Sequence, residues 1–111
     1  MTELINNKKG IEKIINEKIK NKKINFTKNF SWRNAIRGIS NNKVLEIFPQ
    51  FDKIIAIEKK ILKFGDIGYE LFYSLSDDIT FSIALCHVRN HINFVHAIEY
   101  KRSLAKRLKI E

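Results

Sequence analysis

His87, Arg89, His91, His96 and Tyr100 fall within fourteen consecutive positions, the densest run of acid–base side chains in the chain. Histidine exchanges protons near neutral pH, a tyrosine phenol can donate one, and arginine clamps phosphate with a planar fork. Together these types suit cleavage of a phosphodiester by its neighbouring 2′-hydroxyl. That reaction needs a base for the hydroxyl, a cation for the developing phosphorane charge and an acid for the leaving oxygen. In this reading His87 or His96 is base or acid, Arg89 is the phosphate clamp and Tyr100 is a second proton donor. Each also has a structural alternative. His96 shares its expected strand face with Ile92, Phe94 and Ile98, which is the place of a hydrogen-bonded core histidine, and His91 reads as a turn residue. Glu70, on the small-residue face of its strand, either activates a hydroxyl or joins a surface ion pair.

A second group is cationic. Arg33 and Arg37 are four apart and project from one side of a predicted helix, with Lys28 and Trp32 beside them. Such a face grips phosphates. It equally describes the solvated side of a core helix whose Trp32 and Ile36 pack inward. Arg102, Lys106 and Arg107 form a further basic group near the end of the chain. A zinc site at Cys86, His87, His91 and His96 fails on spacing, because adjacent strand residues point to opposite faces. No metal or cofactor is therefore expected, and Cys86, the single cysteine, reads as a small buried residue. Gly-rich phosphate loops, nucleophile elbows, HExxH and paired-carboxylate signatures are absent, which sets aside kinase, α/β-hydrolase and metalloprotease chemistry.

The charge agrees with an anionic partner. The 111 residues carry 21 Lys and Arg against 12 Asp and Glu, net +9. Residues 1–43 hold a net +8, residues 44–98 a net −2 and residues 99–111 a net +3. Clustered cations favour nucleic acid through counterion release, although a chain this rich in Lys, Ile and Asn is also what an AT-rich genome encodes. No apolar run approaches the roughly 18–20 residues of a membrane span, so neither a membrane partner nor a signal peptide is expected, and the expected location is the cytoplasm.

These residues need elements to position them. Leu4, Ile11, Ile15 and Ile19 form a stripe at helical spacing, predicting an amphipathic helix over residues 1–22 that docks on the domain or on a partner chain. Residues 24–27 alternate as a short strand. Asn29 or Ser31 caps a helix closed by Gly38, and Ser40 or Asn41 caps a shorter one ended by Pro49. Residues 53–64 are one bent strand or a tight hairpin. Residues 67–75, 79–87 and 92–99 alternate with a period of two, as an antiparallel meander. The expected fold is α+β, one domain over residues 1–111, with helices on one face of a meander of three or four strands.

This order resembles the RelE/ParE/BrnT-like toxin superfamily. The residues that carry the resemblance are Phe26-Thr27, Asn29, the Arg33–Arg37 helix, Gly38-Ile39-Ser40, and Phe94-Val95-His96-Ala97-Ile98 followed by Arg102 and Arg107. It spans about residues 23–108 and implies a RelE-like core with a basic tail. It further implies an antitoxin partner and, in some branches, metal-free cleavage of messenger RNA on the ribosome. Asn29 stands where that branch frequently has His, and the N-terminal helix is an addition to the minimal domain. Two functions follow as expectations. One is a small RNA-binding, toxin-like endoribonuclease. The other is a non-catalytic nucleic-acid or protein-interaction module in which Leu4, Ile11, Ile15 and Ile19 mediate a homodimer or partner contact.

Overall fold

The computed structural model of the protein describes residues 2–62, 65–88 and 91–110. The chain runs β1 (Thr2–Ile5), α1 (Lys8–Ile14) with a further π-helical turn (Ile15–Ile19), β2 (Lys23–Asn25), α2 (Lys28–Ile36), α3 (Asn41–Ile47), a 3-10 turn (Phe51–Lys53), then β3 (Ile54–Ile61), β4 (Ile67–Ser76), β5 (Ile79–Val88) and β6 (His91–Tyr100). The fold is α+β, as the alternation predicts, but the sheet is wider than a meander. It has six strands in the order β1-β3-β4-β5-β6-β2. The four central strands are antiparallel, β1 adds antiparallel to β3, and β2 adds parallel to β6.

Local chemistry sets the boundaries. Asn7 caps α1, its side chain accepting from the Gly10 amide at 2.7 Å. Thr27, rather than Asn29 or Ser31, caps α2 through its hydroxyl, 3.1 Å from the Phe30 amide. Ser40 caps α3, accepting from the Lys43 amide at 3.1 Å. Gly38 closes α2 with φ +74°, a left-handed conformation that a side chain would strain. Residues 54–61 form one strand, not a hairpin.

Two expectations about the helices are corrected. The N-terminal helix starts at Lys8, and Leu4 lies on β1, half-buried against the opposite side of the sheet. Ile11, Ile15 and Ile19 are buried in the core of their own domain, with Ile19 1% exposed. They dock on the sheet and leave no stripe for a second chain. On α2, Phe30 and Asn34 point inward while Trp32 and Ile36 are 65% and 67% exposed. At about 100° per residue, an inward Phe30–Asn34 pair forces Trp32 and Ile36 outward.

All helices pack on one face of the sheet. The core there includes Leu71, Ile83, Leu85 and Phe94, with Phe26, Phe30 and Phe48 ringing Phe94 at centroid distances of 5.1–5.4 Å. The Tyr73 hydroxyl donates to the Phe48 carbonyl at 2.7 Å, tying α3 to the sheet. The second face is covered over part of its area by residues 101–110. Leu104 and Leu108 pack on Ala56 and Phe72, Asn6 Nδ2 donates to the Leu108 carbonyl at 3.1 Å, and Thr80 Oγ1 donates to the Arg102 carbonyl at 3.1 Å.

Candidate functional site

The placement of His96 turns on one residue. Across β5 and β6, Leu85 pairs with Phe94 but Ala84 pairs with His96, so Val95 is an extra residue in β6. A bulge of this kind exchanges the faces of every residue beyond it. Ile92 and Phe94 remain under the helices; past the bulge Ala97 enters the helix-side core, and His96, Ile98 and Tyr100 pass to the second face. The expectation that His96 sits with Ile92, Phe94 and Ile98 among apolar core residues is thereby corrected.

On that second face, register places Glu58, Glu70, Ala84 and His96 side by side across four strands. Adjacent strands lie about 4.8 Å apart, and the small Ala84 is the residue between Glu70 and His96. Glu70 is only 7% exposed, so its carboxylate requires a partner. Lys60 Nζ supplies one at 3.7 Å from Oε1. His96 is half-buried, and its Nδ1 is buried without a hydrogen-bond partner. One row along, Ser82 Oγ is also buried without a partner.

Cations gather on the His96 side. Beyond Asn93, β6 has no strand beside it on its outer edge among the described residues, and α2 lies against β6 from the helix side. The Arg37 guanidinium reaches over from the end of α2, Nη1 donating to the Ala97 carbonyl at 3.3 Å. Burial holds His96 below its usual range, Glu70 opposes that, and Arg37, Lys60 and Arg33 add to it. At neutral pH His96 is therefore an uncharged imidazole among three cations and one carboxylate. This arrangement can accept a proton from a hydroxyl while the cations hold an anion beside it.

The other candidate residues do not converge here. His87 faces the helix side, paired with Ile67 and Ile92; burial and then Lys18, Lys22 and His91 lower its pKa. It lies across the sheet from His96, so the two cannot serve one phosphate. His91 opens β6, paired with Lys23, instead of turning the chain. Tyr100 shares the His96 face but is four residues further along the strand, about 13 Å away, packed beside Leu104 and Phe72. Arg89 lies outside the described residues. Arg107 is occupied: its guanidinium is 3.2 Å from Glu58 Oε1 and 5.3 Å from the Phe72 ring. Lys28, Arg33, Arg37, Arg102 and Lys106 are exposed.

Lys60 and Ser82 are the members of this cluster that sequence reasoning missed. Only the register connects Lys60 to Glu70, and the sequence signal for it is faint: a lysine on the face shared with Glu58 in an otherwise apolar strand. No protein-family model matches this chain, and no curated protein or solved structure matches it.

Proposed function

We propose that this chain is a basic RNA-binding protein with a metal-independent site for RNA cleavage on the second face of its sheet, in the manner of the ribonuclease toxins of the RelE/ParE/BrnT-like superfamily. The observation that carries the reading is the His96–Glu70 row, flanked by Lys60 on one side and by Arg33 and Arg37 on the other. The order β2, α2, α3 and then the meander supports the family likeness. An acidic antitoxin and the ribosome are the partners this reading brings with it.

In the proposed reaction the neutral His96 imidazole takes the proton of a 2′-hydroxyl, and the resulting alkoxide attacks the adjacent phosphorus. The bond to the 5′-oxygen breaks as the Lys60 ammonium gives that oxygen a proton. A 2′,3′-cyclic phosphate and a 5′-hydroxyl are formed, and solvent returns the proton from His96 and restores that of Lys60. Arg33 and Arg37 hold the phosphate, whose charge increases in the transition state. Glu70 stabilises the imidazolium and fixes Lys60. Tyr100 has no part, being too far along the strand.

The second reading is a non-catalytic binding module, favoured by the pairing of Glu70 with Lys60, which accounts for both groups without chemistry. The two part in a single assay. Purified protein is incubated with end-labelled RNA in the presence of a chelator, beside His96→Gln and Lys60→Met. Cleavage to cyclic-phosphate ends, reduced about 100-fold or more in His96→Gln with RNA binding retained, supports the ribonuclease. Binding without cleavage in the unaltered chain establishes the module.

A further inference from the structure

Outside the acid–base row, α2 carries a feature that the proposed reaction does not use. Trp32, the only tryptophan, is 65% exposed, and Ile36, one turn on, is 67% exposed. A large indole and an aliphatic side chain exposed one turn apart on a nine-residue helix that buries only Phe30 and Asn34 mark a contact surface. Its surroundings indicate the contact. Lys28, Arg33 and Arg37 are exposed on the same helix, and α2 contains no acidic residue. An exposed indole on a helix whose only charged side chains are cations is complementary to a polyanion that also offers flat apolar rings.

We infer that Trp32 is a base-stacking platform for single-stranded RNA, placed by α2 so that a strand lying on Arg33 and Arg37 leads to His96. The inference rests on the RNA-binding reading above. The connection is geometric. Arg37 is tied to the carbonyl of Ala97, the residue after His96, and Trp32 lies five residues back along the helix, about 7.5 Å of rise. Helical spacing puts Arg33 and Arg37 between the outward Trp32–Ile36 pair and the inward Phe30–Asn34 pair. A backbone held by the arginines therefore has the indole on one side and the His96 edge on the other. Stacking needs an unpaired base with a free face, so duplex RNA, its bases already stacked, gains only the phosphate contacts.

Trp32 is its own probe. The intact chain is titrated with a pyrimidine-rich single strand, with the same strand in a duplex, and with inorganic polyphosphate, while tryptophan emission and anisotropy of labelled RNA are followed at several salt concentrations. The expected result is quenching by the single strand alone. Trp32→Ala should then weaken single-strand binding roughly tenfold or more and leave its salt dependence unchanged, whereas Arg33→Ala should flatten the salt dependence. Equal affinity of Trp32→Ala and the unaltered chain, with no quenching, overturns the platform while leaving RNA binding standing. Emission that shifts with protein concentration alone assigns Trp32 to contact with a second copy and overturns it too. No binding to either RNA overturns the platform together with the reading beneath it.

Discussion

Glu70 and His96 share one row of the sheet with only Ala84 between them, although 25 residues separate them in the chain and no local pattern links them. Their coupling has a measurable sign. Glu70 is the one neighbour that raises the His96 pKa; burial, Arg37, Lys60 and Arg33 lower it. Glu70→Gln should therefore move the His96 titration further down, and Arg37→Gln should move it up. Ring-proton shifts followed by NMR against pH give both directions. A midpoint unmoved in both variants would separate His96 from the cluster.

The lowered histidines also set a pH dependence of stability. Both His96 and His87 sit below the ordinary 6.5 in the folded chain. Between their folded values and 6.5 the unfolded chain binds more protons, so stability rises with pH there and is lost on acidification. Melting temperature should be level above about pH 7 and fall as pH is lowered through the histidine range. The double variant His87→Gln/His96→Gln should flatten that fall, and a slope that survives it would have to come from the carboxylates.

Gly10 offers a test of packing against propensity. Replacing a helix glycine with alanine ordinarily gains up to about 1 kcal/mol. Here an added Cβ would lie 2.7 Å from Ile5 Cγ2 and 3.0 Å from the capping Asn7 Oδ1. Ile5 is buried on β1, and this methyl is fixed to its branched Cβ, so it has little room to yield. Gly10→Ala should destabilise by about 1–3 kcal/mol, read as a shift in the urea midpoint.

The bulge at Val95 makes that position tolerant of two changes. Val95 is 39% exposed, so Val95→Thr should melt close to the unaltered chain. Deleting Val95 leaves Phe94, His96 and Ala97 consecutive, so β6 alternates strictly with His96 still on the second face and Ala97 still beneath the helices. The deletion should keep a cooperative melt, and loss of that melt would show that the bulge itself is required.

Much of this architecture was legible in the residues, and the exceptions have identifiable causes. The alternation of Ile67 through Leu75 and of Ile79 through His87 marks two strands because each has one face buried under helices. Ser40 and Gly38 mark helix ends through capping and left-handed backbone, which are local effects. The site was not legible, because the bulge falls between Phe94 and His96 at a valine that fits either phase. β1 was hidden because Leu4 and Ile5 extend the helical stripe of Ile11 and Ile15. Trp32 and Ile36 read as core from hydropathy alone, whereas the smaller inward arc of α2 is filled by Phe30 and Asn34.

The placement of β1 and β2 has a consequence for biosynthesis. The first 25 residues supply both outer strands, on either side of four strands made later, with a sheet about 24 Å across between them. A chain emerging N-terminus first thus presents Ile11, Ile15 and Ile19 with nothing to cover, and neither outer strand has a neighbour until β3 and then β6 arrive. Such delayed, sequence-distant closure slows folding and exposes sticky surface meanwhile. The many lysines of residues 8–23 are then useful before the protein is finished: they keep an apolar segment dispersed while it waits for the rest of the sheet.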